Sequence, residues 1–201
     1  VSFGIAVYAL RHLPIVDLLP YRVGASIPEQ MKPSEPLRYI YTFEKDGKTV
    51  KFEQYPSDTT LVFKEMSIIN EDAKPKITDY KIWNDEADFT EQSFEGTKLF
   101  LIFKNFKDIN TAALPEINKL IKNLESKGIK TYILTSRSNE ETIQFMHEHQ
   151  LNVPYYFADG TVLKTISRSN PGLMLLKNGV VTGKWHYNDT PTAEKVLTLI
   201  K

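Results

Sequence analysis

From about Thr97 to Lys201 the chain predicts an α/β domain, with a smaller β-rich region ahead of it. Three observations predict it. Leu99-Phe100-Leu101-Ile102-Phe103 is an unbroken apolar run, as expected of a strand buried on both faces. Between about Thr111 and Lys127, Ala113, Leu114, Ile117, Leu120, Ile121 and Leu124 recur at helical spacing on one face. Further on, Leu173 to Lys177 and Val180 to Trp185 flank Asn178-Gly179, a pair that tolerates the positive φ of a two-residue hairpin turn.

The first ten residues, Val1 to Leu10, are almost wholly apolar and are followed by Arg11-His12. A spanning helix needs about 20 apolar residues, so this run cannot cross a membrane alone. It lacks the basic start and small-residue cleavage site of a signal peptide. It reads as a short helix packed on the domain or, the favoured reading, as the end of a membrane helix with Arg11 at the interface. Pro14, Pro20, Pro28, Pro33 and Pro36 follow. Proline removes backbone donors and restricts its predecessor, so this stretch is expected to be an extended linker or a strap along a surface. Residues 1–36 are thus assigned as a membrane-proximal stub and linker, 37–96 as the β-rich region and 97–201 as the α/β domain.

Within the β-rich region, Tyr39 to Lys45 and Lys48 to Glu53 flank Asp46-Gly47, a second hairpin signal. A two-residue turn sets Phe43 across from Val50 and Tyr41 across from Phe52, with Thr42 and Lys51 on the opposite, polar face. Leu61-Val62-Phe63 and Met66 to Ile69 read as two further short strands. Ile77 to Trp83 reads as a period-two strand, and Ala87 to Phe94 as its returning edge.

In the second half, Asn110 is placed to cap the helix that ends near Gly128, with Pro115 in its first turns. Thr131 to Thr135 is the next strand. Ser138 and Glu141 make a capping box for a helix running to about His149, with Ile143 and Met146 inward and Phe145 at the margin. Pro154 to Phe157 is a short strand. Val162 to Ile166 is a short helix capped by Thr161, and Thr190-Pro191 opens the final helix.

Composition excludes several classes of function. Acidic and basic residues balance at 25 each, with no basic block, so nucleic acid is not an expected partner. The chain contains no cysteine, which removes disulfides, thiolate catalysis and cysteine-ligated zinc.

The element order from residue 98 is β-α-β-α-β, a short helix, then β-β-α, with Asn170-Pro171 just before the terminal hairpin. Together with the apolar first strand, the Leu114-Pro115-Glu116-Ile117 stretch and the Gly179 turn, this order resembles the thioredoxin-like fold, especially its extracytoplasmic branch related to cytochrome-maturation reductases and peroxiredoxins. The resemblance covers about half of the chain and implies a central mixed sheet flanked by helices, with a cis bond before Pro171. In that family a Cys-x-x-Cys motif lies between the first strand and the first helix. Counted back from Leu114-Pro115, the motif falls on Lys107-Asp108-Ile109-Asn110, where neither cysteine is present. The family's chemistry needs a low-pKa thiolate and a resolving thiol; the fold carries over and the activity does not.

A second, looser resemblance concerns residues 1–30. Phe3 to Tyr8, Leu10 to Ile15 and Pro20-Tyr21-Arg22-Val23-Gly24 look like the segment after the last membrane helix of bacterial DoxX-type proteins, which carry a similar soluble extension. It implies a membrane-associated, extracytoplasmic protein of the cell envelope, although Arg11 and Arg22 equally suit a cytoplasmic face. A start at valine rather than methionine fits a fragment.

Other chemistry is thinly supported. His147 and His149 lie two apart on a helix and point in divergent directions. His12 belongs to the membrane-proximal segment and His186 to a strand end. Tyr155, Tyr156, Phe157, Trp83 and Trp185 need only packing explanations. No phosphate loop, nucleophile elbow or zinc-protease motif is present, and no cofactor or metal is implied. Lys107, Asp108 and Asn110 lie where free N–H groups at a helix start could hold an anion; the plainer reading is a cap and two solvated charges. The expected function is a non-catalytic, redox-inactive domain that binds a peptide or partner protein through Lys107, Asp108, Asn110, Asn170 and Pro171. The alternative is an enzyme accessory domain or a thiol-independent enzyme.

Overall fold

The computed structural model describes residue 8, residues 11–14 and residues 16–201 of the chain. Most of the opening apolar run, and with it the membrane-helix reading, lies outside the described residues. Among the described residues no helix is long and apolar enough to cross a membrane. The chain divides into two compact units, residues 1–29 with 79–201, and residues 30–78.

The smaller unit is an antiparallel sheet of β1 (Tyr39–Lys45), β2 (Lys48–Phe52) and β3 (Val62–Ile68), in the order β2-β1-β3. Asp46 and Gly47 both have positive φ, at 51° and 73°, as the Asp-Gly pair predicts. Phe43 faces Val50 and Tyr41 faces Phe52 in the expected register. Phe43 is buried, with Phe52, Tyr55 and Phe63 edge-on to it at ring separations of 5.4–5.9 Å. The opposite face is less polar in practice than its sequence suggests. Thr42 is buried, with no partner for its hydroxyl, while Lys51 across from it is exposed. The two short strands expected at Leu61–Phe63 and Met66–Ile69 are one continuous strand. Its register shifts where it passes Thr42 and Phe43, and that bulge absorbs the extra residue that made the apolar pattern look interrupted.

The larger unit is built on a six-stranded sheet: β4 (Ile82–Trp83), β5 (Thr97–Phe103), β6 (Lys130–Thr135), β7 (Tyr155–Ala158), β8 (Gly172–Lys177) and β9 (Val180–His186). Their order is β4-β7-β6-β5-β8-β9. β5 sits inside the sheet, parallel to β6 (Leu101 beside Ile133) and antiparallel to β8 (Leu101 beside Leu173). Its residues Leu99 to Phe103 are all at most 1% exposed, which is why the strand reads as a continuous apolar run. The β5-β6 parallel pair, the antiparallel β8-β9 hairpin and the helices between them give the mixed, helix-flanked sheet of the thioredoxin-like arrangement.

On one face Leu99, Leu101 and Phe103 pack with α3 (Leu114–Glu125), α4 (Asn139–Glu148) and α6 (Ala193–Leu199). α3 buries Leu114, Ile117, Leu120, Ile121 and Leu124, each burial stabilising by about 1.5–3 kcal/mol. On the other face α5 (Gly160–Ile166) buries Val162, Leu163 and Ile166. Beside it Phe100, Tyr132, Tyr156 and Phe89 form a row of rings 4.7–5.9 Å apart.

Several local expectations are corrected. Only Ile82–Trp83 of the Ile77–Trp83 stretch is a strand, because the buried Ile77, Tyr80 and Ile82 are spaced three and then two apart, which no strand can bury on one face. The returning edge at Ala87–Phe94 is a single bridge from Trp83 to Asp88, followed by α2 (Thr90–Ser93). The Asp88 carboxylate accepts from the Thr90 N–H at 2.9 Å and turns the chain into that helix. The capping box of Ser138 and Glu141 is present. Because α4 starts at Asn139, its buried face falls on Thr142 and Phe145, with Met146 beside them, and Ile143 turns outward at 52% exposure. Asp159 rather than Thr161 caps α5, accepting from the Thr161 and Val162 N–H groups. Thr192 rather than Thr190 caps α6, because the Thr190 hydroxyl is bound to the Tyr187 carbonyl. The Ser138 box makes both of its reciprocal bonds, and Ser138→Ala is expected to lower stability by about 1 kcal/mol, read as a fall in the urea midpoint at unchanged slope.

The proline-rich stretch up to Glu29 forms a strap in the larger unit. Gly24 N–H donates to the Val181 carbonyl, Val181 N–H to Ala25 and Ile27 N–H to Gly179, at 2.7–2.9 Å. These bonds, with the Ser26–Val180 bridge, close the outer edge of β9 that would otherwise be left unpaired. Earlier in the strap Asp17 meets Lys184 of β9 at 2.6 Å, and His12 Nδ1 donates to the Asp189 carboxylate at 2.8 Å. α1 (Ile27–Gln30) ends the strap.

Candidate functional site

The antiparallel pairing of β5 and β8 brings the loop after β5 and the loop before β8 to the same end of the sheet. The first loop carries Lys107, Asp108 and Asn110, the second Asn170 and Pro171. The bond between Asn170 and Pro171 is cis, as the resemblance implies.

Asn170 clips the two loops together with three bonds. Its side-chain oxygen accepts from the Lys104 N–H at 3.0 Å, its amide donates to the Asn105 carbonyl at 2.7 Å, and its own carbonyl accepts from the Asn110 N–H at 3.0 Å. Asn105 then shapes the tip, its oxygen accepting from the Lys107 N–H at 3.0 Å and its amide donating to Asp108 at 2.6 Å. This is the local side-chain turn that asparagine favours. The expected side-chain cap by Asn110 is not made. Its residue precedes a 3-10 turn, Thr111–Ala113, and its backbone N–H is drawn to Asn170 instead.

Beneath the clip, Lys104 Nζ donates to the carbonyls of Ser167 and Arg168, at 3.0 and 2.7 Å, just past the end of α5. A cation suits these carbonyls at a helix end. Burial pushes the Lys104 ammonium down from its ordinary value, and the nearby charge of Lys164 adds to that. Ser169 Oγ donates to the Pro171 carbonyl and accepts from the Tyr187 N–H. Gly172 has to be glycine, since a Cβ there would overlap the Ser167 side chain. His186, the last residue of β9, lies across from Gly172 and accepts from the Asn188 N–H through Nδ1. Burial lowers its pKa, and the charges of His12 and Lys104 lower it further against the pull of Asp189.

Of the five residues singled out from the sequence, Lys107 and Asp108 are exposed, Asn110 and Asn170 half-buried, and Pro171 buried. Sequence reasoning passed over Lys104, Asn105 and Ser169. Asn105 alone had a local signal, an asparagine two residues before an exposed lysine in a loop. The tip of the first loop presents one cation, Lys107, and one carboxylate, Asp108, on a fixed backbone. It contains no thiol, and among the described residues no group of three or more histidines or carboxylates could hold a metal.

No family model matches the sequence, and no curated protein does. Among solved structures, the chain is similar to the thioredoxin domain of a thiol-disulfide oxidoreductase from Bacteroides vulgatus, at 13% identity and a TM-score of 0.46, over 61% of this chain and 93% of that one. It is also similar to a putative protein disulfide isomerase from Bacteroides thetaiotaomicron, at 14% identity and a TM-score of 0.45, over 61% and 81%. The thiol peroxidase of Chromobacterium violaceum matches at 17% and 0.43, over 61% and 82%. At these scores the fold rests on the strand order and pairing already described, not on the likeness.

Proposed function

We propose that this chain is a non-catalytic thioredoxin-like module of a membrane-associated, extracytoplasmic protein, and that it holds a partner polypeptide at Lys107, Asp108 and Asn110 beside Asn170-Pro171. The observation that supports this most is the clip at Asn170. A loop that no longer carries a redox motif is still held in one shape by three bonds while its charged tip stays exposed. A surface fixed before binding loses less freedom on association. The Asn170 carbonyl accepts from the Asn110 N–H and has a second lone pair with which to accept from an added chain. The partner is met by the exposed Lys107 and Asp108 side chains and by backbone hydrogen bonds added to an extended segment. The membrane reading rests on the apolar run Val1 to Leu10 with Arg11 after it, and on the resemblance of residues 1–30.

A Lys107→Glu, Asn110→Trp double variant of the full-length protein is expected to lose at least about tenfold in recovery of the cross-linked partner. Its melting temperature is expected to stay within about 3 °C of the parent. Undiminished recovery would place the interface elsewhere. Fractionation of cells making the full-length protein tests the tether, and a wholly soluble product would remove it.

A further inference from the structure

Between the strap and the α5–β8 loop lies a cavity of about 280 Å³, near the lower end of the range for small-ligand sites. Its walls have two chemistries. Leu13, Leu19 and Ile166 supply an apolar side, while Arg22, Arg168 and Lys184 supply cations. Among the described residues of the wall the only acid is Asp17, and it is already bound to Lys184 at 2.6 Å. Three cations against one carboxylate leave two positive charges in excess.

The two arginines carry that excess. Arg22 comes from the strap and Arg168 from the loop after α5, so distant parts of the chain bring both to one cavity. Neither guanidinium has a hydrogen bond or a close ion pair among the described residues, and the charge of Arg168 acts on Asp17 only at longer range. The Arg168 carbonyl, by contrast, is held by Lys104, which fixes where that residue starts. Like charges brought to the wall of one concavity repel each other, and an oxyanion between them reverses the sign of that interaction. Arginine meets phosphate and carboxylate oxygens through two parallel N–H donors, which gives the head group a defined orientation. The apolar side offers nothing to a free inorganic ion but suits an aliphatic chain.

We infer that this cavity binds a small amphiphilic oxyanion: a phosphate or carboxylate head between Arg22 and Arg168, with an aliphatic chain against Leu13, Leu19 and Ile166. The site is separate from the loop tip at Lys107 and stands whether or not that tip binds a partner. Such a ligand could be the head of a membrane lipid or a soluble phosphate ester, and the two sources are separable.

The test uses hexyl phosphate, inorganic phosphate and hexanol as probes in calorimetric titrations of the intact chain. Hexyl phosphate is expected to bind with a dissociation constant below about 1 mM, inorganic phosphate at least about tenfold more weakly and hexanol not measurably. An Arg22→Gln, Arg168→Gln variant is expected to lose at least about tenfold in hexyl phosphate affinity, with its unliganded melting temperature within about 2 °C of the parent, because both side chains are exposed. Flotation with vesicles of phosphatidylcholine and phosphatidic acid then assigns the source. Co-flotation that the two substitutions abolish identifies a lipid head, and absence of flotation with retained hexyl phosphate binding identifies a soluble ester; both support the site. No hexyl phosphate binding up to about 5 mM, equal binding of inorganic phosphate, or unchanged binding by the double variant would each overturn it.

Discussion

Asn170→Ala is expected to destabilise the larger unit by about 2–4 kcal/mol, because it leaves the Lys104 N–H and the Asn105 carbonyl without their partner in a part-buried loop. The methyl group cannot replace either bond. The third bond, from Asn110 N–H to the Asn170 carbonyl, belongs to the backbone and survives the substitution. The damage should therefore be polarised. Hydrogen exchange at Lys104 and Lys107 should accelerate strongly, while exchange at Leu101 and Ile133, deep in β5 and β6, should follow only the global change. Asn170→Asp keeps an acceptor for Lys104 but turns a carboxylate oxygen toward the Asn105 carbonyl. It is expected to be no better than alanine. A loss for Asn170→Ala below about 0.5 kcal/mol in urea unfolding would mean that the loops hold together without the clip.

That clip also marks the limit of what a sequence discloses. The strand at Leu99–Phe103, the helix face of Ile117, Leu120, Ile121 and Leu124, the Asp46-Gly47 and Asn178-Gly179 turns and the Ser138 box all depend on neighbours a few residues away. Each was legible, and in the second of these hairpins Leu176 faces Val181. The errors came where a second local option competed. Asp159 caps α5 ahead of Thr161, and Thr192 caps α6 ahead of Thr190, by shifts of two residues that propensity does not resolve. Asn110 had the composition of a helix cap, but its N–H found a partner 60 positions away in Asn170, and nothing local announces such a bond. The arginine-lined cavity is of the same kind. Arg22 and Arg168 look like ordinary solvated charges until the strap is laid along β9.

The same reasoning explains why a cysteine-free chain can keep this end of the sheet in order. The positions that the family's motif would occupy, Lys107 to Asn110, are anchored from below by Ile109, which is buried, and from the side by Asn105 and Asn170. Apart from the buried Ile109 side chain and the acceptor on Asp108, those contacts run through backbone N–H groups. The shape of this loop is therefore set by its backbone bonds and by Ile109, and its tip is free to carry charge.

Removing one member of the Asp17–Lys184 pair is expected to loosen the strap by about 2–4 kcal/mol, whereas removing both is expected to change it by less than about 1 kcal/mol. Lys184 is 6% exposed at its side chain and Asp17 22%, with 2.6 Å between the charged atoms. Asp17→Leu leaves a buried ammonium without a partner, and the cost of that orphan, not the worth of the pair, sets the loss. The Asp17→Leu, Lys184→Met double variant buries no charge and fills similar volume, so strap closure should largely recover. Native-state exchange of the Gly24 and Ile27 amides reads strap opening directly, since the first is bonded to Val181 of β9 and the second to Gly179 in the turn before it. The pair also fixes a pH dependence. Burial pushes the Asp17 carboxyl up, but the Lys184 bond, the Leu19 N–H and the charges of Lys184 and Arg168 outweigh it and hold the group below its usual value of 3.8. A depressed carboxyl stabilises the closed strap at all pH values above 3.8 and loses that contribution as pH falls through the lowered value. Strap exchange should therefore be insensitive to this group from neutral pH down to about 4 and rise below it, and the rise should be absent in the double variant. Equal opening in the single and double variants would show that the strap is held by its backbone bonds to β9 and that the ion pair is incidental.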